Sequence, residues 1–153
     1  MDLVALDIGG TNARFALASV GSGGTIALGE PVTLATSDHV SLATAWEEFA
    51  RLCARDGRGD LPRAAAIAIA APVTGQIVRM TNNSWVLDTG ALDAQLGLDR
   101  VTLINDFGAV AHAVARADEA HLLHLAGPEG ALPATGTVSV IGAGTGLGVA
   151  HYH

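Results

Sequence analysis

The sequence predicts an α/β layer fold built around a mixed sheet, and three observations carry that expectation. Short, apolar runs at 3–6, 64–70 and 101–104 have the composition of strands covered on both faces. The first run is followed by two more strand-like segments, 13–20 and 26–34, joined through glycine-bearing turns that suit antiparallel pairing. Segments of helical period then separate the later runs, so strand and helix alternate as in layered α/β folds.

In chain order, Gly9-Gly10 and Gly21-Ser22-Gly23-Gly24 supply the turns of a three-stranded opening meander. Ser41 is placed to cap a helix in which Leu42, Ala45, Trp46, Phe49, Leu52 and Cys53 recur at helical spacing. Gly57 and Gly59 stop it, and Trp46 and Phe49 read as core anchors. The run 64–70 consists mostly of small residues, which implies helices packed closely against it. Residues 71–76 turn the chain into a short strand, 77–80. Asp88 is expected to cap a helix ending at Leu96, with Gly97 as its C-terminal stop. A buried strand, 101–104, and an alanine-rich helix, 107–117, come next. Pro128, Gly130, Pro133 and Gly136 mark a connection, and the domain boundary is expected there, dividing the chain into 1–130 and 131–153. The handedness of βαβ units sets the later strands beside the first, and ligands of such sheets sit outside the carboxyl ends of the strands.

Bulk properties narrow the class. A chain of 153 residues, half of them hydrophobic, is long enough for one core and the start of another. The net charge of −7 and a pI near 5.1 argue against a nucleic-acid partner, because all eight basic residues are arginines and too few cluster to track a phosphate backbone. No membrane partner is expected either: no apolar stretch reaches the roughly 20 residues of a spanning helix, and the opening has no signal-peptide pattern. One cysteine, Cys53, excludes an internal disulfide and fits a reducing compartment, so a cytoplasmic location is expected. His121 with His124 and His151 with His153 lack the cysteine or carboxylate pattern of a metal centre and receive no catalytic role.

The segment Asp7-Ile8-Gly9-Gly10-Thr11-Asn12 carries the most chemistry. Two strands joined by a glycine pair leave backbone amides at the tip, which is what a polyphosphate requires. The Asp7 carboxylate beside them would repel phosphate unless a cation intervened, so its natural partner is a magnesium ion carrying the phosphates. A second turn of the same make, Gly142-Ala143-Gly144-Thr145-Gly146-Leu147-Gly148, follows the apolar run 137–141. Aligning the two sets Asp7 opposite Ile141, so the carboxylate belongs to the first turn only, and the pair suggests two loops on one nucleotide. A P-loop would need Lys followed by Ser or Thr after its last glycine, and a dinucleotide fingerprint would need glycine at Leu147; neither fits.

Asn105-Asp106 falls where the run 101–104 ends and a helix begins, the edge at which Asp7 and its turn are also expected. A carboxylate at a helix N-terminus is favoured as the anion, so Asp106 suits a general base that takes the proton of a hydroxyl, the alternative being that it only caps its helix. Asn105 offers donor and acceptor to sugar hydroxyls. Thr81-Asn82-Asn83-Ser84-Trp85 has the polar edge and aromatic face a sugar prefers, although it also suits an ordinary turn packed by its Trp.

These motifs resemble those of bacterial glucokinase. The residues concerned are Leu6 to Arg14, Ala71-Pro72-Val73-Thr74-Gly75, Met80 to Trp85, Ile104 to Phe107, and Gly142 to His151. They occur in family order along the whole chain. The resemblance implies an actin-like ATPase (ribonuclease H-like) lobe with a mixed sheet flanked by helices, followed by the first strands of a second lobe. It also implies phosphorylation of glucose by ATP with Mg2+. Carried over by position, Asp106 is the catalytic base, Asn105 and Asn82 are sugar ligands, and Leu6, Asp7, Ile8, Gly9, Gly10 and Thr11 form the first phosphate motif. Gly144, Thr145 and Gly146 form the second. Leu6 stands where the family often has glycine, and Gln76 replaces a frequent acidic residue. The family continues well beyond the second turn, so the chain is expected to be a truncated enzyme with little kinase activity. Its apolar surface over 138–152 is expected to drive association into a homo-oligomer. A phosphohydrolase of the same superfamily and a non-catalytic sugar sensor are the alternatives; sensors carry an added DNA-binding module, for which Met1 lies too close to the first strand.

Overall fold

The computed structural model describes residues 1–117, 119–128, 130, 135–143 and 147–153, and the chain divides into two compact units, 1–105 and 106–153.

The first unit is built on one mixed sheet. Strand β1 (Asp2–Ile8) pairs antiparallel with β2 (Asn12–Val20), in register from Asp2 opposite Ser19 to Ile8 opposite Ala13. Alternation along β1 sends Val4, Leu6 and Ile8 into the core, while Asp7 stays exposed. The expected single strand 26–34 is two: β3 (Ile26–Leu28) and β4 (Val32–Ala35), both antiparallel to β2. The Gly29 N–H still donates to Leu17 O at 2.8 Å, but Pro31 has no N–H to offer, so the ladder breaks and resumes with Val32 opposite Phe15.

Helix α1 (Leu42–Arg55) begins as its sequence requires. Ser41 Oγ accepts from the Thr44 N–H and Thr44 Oγ1 accepts from the Ser41 N–H, a reciprocal capping box. Leu42, Ala45, Trp46, Phe49 and Cys53 are buried, and Phe49 stacks on Phe15 of β2 with ring centroids 5.1 Å apart. After the helix the chain turns through Gly57 at φ 69°, a left-handed value that favours glycine. Strand β5 (Ala64–Ile69) returns parallel to β1, and β8 (Arg100–Asn105) lies parallel to β5, so the sheet order is β3-β2-β1-β5-β8 with β4 also on β2. Parallel and antiparallel neighbours meet at β1, which makes the sheet mixed.

Between β5 and β8, strands β6 (Ile77–Arg79) and β7 (Val86–Asp88) form a two-stranded ribbon whose tip is the loop 80–85. Strand β7 has no counterpart in the sequence reading, and Asp88 does not cap the following helix. Its Oδ1 accepts instead from the Gly90 N–H and from Gln76 Nε2, both at 3.0 Å, and α2 (Leu92–Leu96) starts only after Ala91. Ribbon pairing of Ile77 with Asp88 holds the Asp in the strand, a constraint that the local sequence does not announce. Gly97, at φ 66°, ends α2 as its sequence predicts.

In the second unit, α3 (Asp106–Val114) ends three residues short of the expected helix 107–117, and the chain leaves it through tighter bonds, Arg116 N–H to Ala113 O and Ala117 N–H to Val114 O. A single 3₁₀ turn (Glu119–His121) follows. Strands β9 (Val138–Ala143) and β10 (Leu147–Tyr152) pair antiparallel, with Gly142 directly opposite Gly148. Tyr152 meets the His112 ring edge to face at 5.1 Å, and the Arg116 guanidinium lies 5.9 Å from the Tyr152 ring centre. On the other face of the hairpin Ile141, Leu147 and Val149 are exposed.

Candidate functional site

The tip of the β1–β2 hairpin is stapled from behind. Thr36, buried in the short 3₁₀ turn after β4, donates its N–H to Thr11 O at 2.9 Å and its hydroxyl to Gly10 O at 2.8 Å. The Gly9 N–H closes the turn on Asn12 O at 2.9 Å. The run of bare amides expected from the sequence is therefore shorter by one, because Gly9 spends its donor on the turn itself. The Gly10 and Thr11 N–H groups donate to no acceptor among the described residues. Leu6 and Ile8 have buried side chains, so only their main chain is available to a ligand, as strand alternation requires.

Asp7 is half-exposed, and its Oδ2 accepts from Arg14 Nη1 at 2.9 Å. The two residues are cross-strand partners, so the hairpin register itself delivers a cation to this carboxylate. Arg14 is absent from the sequence-predicted site, although counting back through the turn from Asp7 would have found it.

The 80–85 loop comes down on the same tip. Asn83 Nδ2 donates to Gly9 O at 3.4 Å and to Met80 Sδ at 3.0 Å, while Asn83 Oδ1 accepts the Trp85 N–H at 2.7 Å. Trp85 is buried, and its indole N–H donates to His39 O at 2.9 Å, which anchors the loop from below. Of the two readings its sequence allows, Trp85 takes that of the packing residue. Asn82 is exposed above it, so close to the hairpin that a Cβ on Gly10 would stand 2.7 Å from the Asn82 Cβ. A cavity of about 320 Å³ lies between the two tips, lined by Gly10, Thr11, Thr36, Ser37 and residues 82–84, a small open cleft of the size that ligand sites begin at. Thr36 and Asn83 hold the two tips in place, and nothing in the local sequence announces those contacts.

Asn105 ends β8 in register with Ile69, which is in register with Ile8, so Asn105 and the hairpin tip share the carboxyl edge of the sheet, as the sequence predicts. Its Nδ2 donates to Ala71 O at 3.2 Å, which orients the amide. Asp106 opens α3 in the second unit, and its Oδ1 accepts the Phe107 N–H at 2.8 Å, so the main chain fixes the carboxylate. Gly144, Thr145 and Gly146 lie outside the described residues. Their flanking glycines do not: a Cβ on Gly142 would come 2.7 Å from Phe107 Cζ, and one on Gly148 would overlap the same ring.

Among the described residues no group of three or more His, Cys, Asp or Glu side chains is gathered as a metal ion would require, and no helix is long and apolar enough to cross a membrane. His124 Nε2 is within hydrogen-bond distance of Gly127 O, and the Nδ1 atoms of His151 and His153 are paired with Ser139 and Thr137. Burial pushes the Cys53 thiol above its ordinary range.

Comparison with solved structures gives the actin-like ATPase fold of sugar kinases. The solved glucokinase of an Antarctic psychrotroph superimposes with a TM-score of 0.82 at 27% identity, over 98% of this chain and 45% of that one. An inorganic polyphosphate/ATP-glucomannokinase from Arthrobacter sp. strain KM superimposes with a TM-score of 0.63 at 27% identity, over 98% and 57%. The family model for glucokinase matches residues 3–153, and the chain belongs to the glucokinase family. It is 52% identical over 151 residues to the glucokinase of Zymomonas mobilis subsp. mobilis, a match covering 99% of this chain and 45% of the relative. The chain thus spans a little under half the length of the curated relatives it matches.

Proposed function

We propose that this chain supplies the acceptor base, sugar ligands and both phosphate turns of a glucokinase, which transfers the γ-phosphoryl group of ATP to the 6-hydroxyl of D-glucose, the entry step of glycolysis. The observation that carries this reading is the family match over 3–153, which takes in Asp7, Asn82, Asn105 and Asp106 together.

Asp106 is the base. With one oxygen held by the Phe107 N–H its carboxylate keeps a set orientation, and it takes the proton of the 6-hydroxyl as that oxygen attacks phosphorus in line with the leaving diphosphate. Asn105, oriented by Ala71 O, and the exposed Asn82 hold sugar hydroxyls. The main chain of residues 6–11, with the Gly10 and Thr11 amides foremost, and Gly144, Thr145 and Gly146 hold the phosphates. Asp7 is the residue that would hold Mg2+, through water. Magnesium keeps most of its waters and takes one or two carboxylates, so a single exposed carboxylate fits it through water while its Oδ2 stays on Arg14 Nη1. When bound, the ion neutralises charge on the phosphoryl oxygens.

Residues 1–130 are assigned to the amino-terminal lobe and 131–153 to the start of a second. A cytoplasmic setting is supported by the buried free Cys53 and by family membership. Self-association is supported by the exposed apolar face of Ile141, Leu147 and Val149.

A coupled assay of the intact gene product with a panel of hexoses tests the reading, with ATP and inorganic polyphosphate as separate donors. Glucose 6-phosphate is the expected product with ATP. Asp106→Ala is expected to lower kcat by about 10²–10⁴ while glucose binding stays measurable by calorimetry. Undiminished turnover in that variant rejects Asp106 as the base. Phosphate release without sugar identifies a phosphohydrolase, and sugar binding without turnover a sensor.

A further inference from the structure

Phe107 follows Asp106 in the chain, and its ring rests on bare backbone in the β9–β10 hairpin. Gly142 and Gly148 face each other in register there, and any side chain on either would run into that ring. Neither glycine has a positive φ, so what the absent side chain provides is space and not conformational freedom. The sequence assigns both glycines to a phosphate turn; the structure gives them a different use, as the seat of an aromatic ring. The Phe107 N–H meanwhile donates to Asp106 Oδ1, so the seat of the ring and the orientation of the carboxylate are separated by one residue.

We propose that Phe107 is a positioning residue for phosphoryl transfer. Its ring, seated on Gly142 and Gly148, locks the first turn of α3 to the hairpin that carries the second phosphate turn, and so holds the Asp106 carboxylate in its working orientation. This inference rests on the glucokinase reading above. All the parts named lie in the unit 106–153, and the contact acts through shape alone, so a single methyl group at position 148 probes it.

Steady-state kinetics of the intact gene product, with Gly148→Ala, Phe107→Ala, Phe107→Leu and the double variant Gly148→Ala/Phe107→Ala, tests the proposal. Gly148→Ala is expected to lower kcat about tenfold to a hundredfold, the scale of a displacement near 1 Å, and to leave the KM for glucose within about twofold. In the Phe107→Ala background the same methyl finds room, so Gly148→Ala should change kcat no further, a non-additivity that general damage would not produce. Wild-type kcat in Gly148→Ala, independent multiplication of the two effects, or a loss confined to KM overturns the proposal. If Gly148→Ala does not fold, Phe107→Leu decides: a several-fold fall in kcat at unchanged KM supports it, and an unchanged kcat overturns it. A wild-type protein that phosphorylates no hexose overturns the functional reading itself, an outcome distinct from an active enzyme indifferent to position 148.

Discussion

Gly10 and Asn82 touch where the tip of the β1–β2 hairpin meets the tip of the β6–β7 ribbon, and the contact leaves no room for a side chain at position 10: an added Cβ would lie 2.7 Å from the Asn82 Cβ and 3.4 Å from its carbonyl oxygen. Since a Cβ is fixed to the backbone, the loop can yield only by moving as a whole. Gly10→Ala is therefore expected to destabilise the chain by about 1–3 kcal/mol in urea titration, as overpacking does. Asn82→Gly in the same chain should recover most of the loss, because it removes the Cβ that the added methyl meets.

Trp85 anchors the loop from the other side. Truncating this buried ring in Trp85→Ala is expected to cost about 3–5 kcal/mol by chemical denaturation. Trp85→Phe keeps most of the volume but leaves His39 O without its indole donor, and is expected to cost about 1–3 kcal/mol. A Trp85→Phe variant as stable as the wild type would show that the hydrogen bond contributes nothing.

Ser41 and Thr44 satisfy each other's amides at the start of α1. Ser41→Ala is expected to lower stability by about 1 kcal/mol, and Ser41→Gly by only a few tenths, because glycine retains the extended backbone of a cap. Far-UV circular dichroism during urea unfolding measures both.

The Arg63 guanidinium grips the Asp99 carboxylate with two hydrogen bonds, at 2.8 and 2.7 Å, and these bonds hold Asp99 below its ordinary carboxylate range. A carboxylate lowered on folding adds stability that is present above its unfolded value, near pH 3.9, and lost as pH falls through the lower folded value. Titration of the Asp99 side-chain resonance should accordingly show protonation below the ordinary range, returning to it in Arg63→Gln and moving upward in high salt, since both groups are exposed. A titration indifferent to Arg63 would exclude the pairing in solution.

Elements whose cause is local were legible without coordinates. The spacing of Leu42, Ala45, Trp46, Phe49 and Cys53, bounded by Ser41 and Gly57, determines α1 and its buried face, because helical period and capping act within a few residues of the chain. Apolar runs likewise locate β1, β5 and β8, and with them Asn105 at the carboxyl edge of the sheet. Asp88 shows where such reading stops: an aspartate before an amphipathic stretch has the form of a cap, yet ribbon pairing and Gln76 hold it in a strand.

By itself, then, the sequence determined α1 with its cap and buried face, the runs that became β1, β5 and β8, and the glycine turn between β1 and β2. Tertiary structure decided what those residues are held by: Thr36 behind the hairpin tip, Arg14 on Asp7, Asn82 against Gly10, and Phe107 on Gly142 and Gly148. Contacts of this second kind join residues far apart in the chain, such as Asn82 and Gly10, through close packing and register. A glycine chosen for its φ and one chosen for the space beside it are the same letter in a sequence, and only the neighbouring atoms distinguish them.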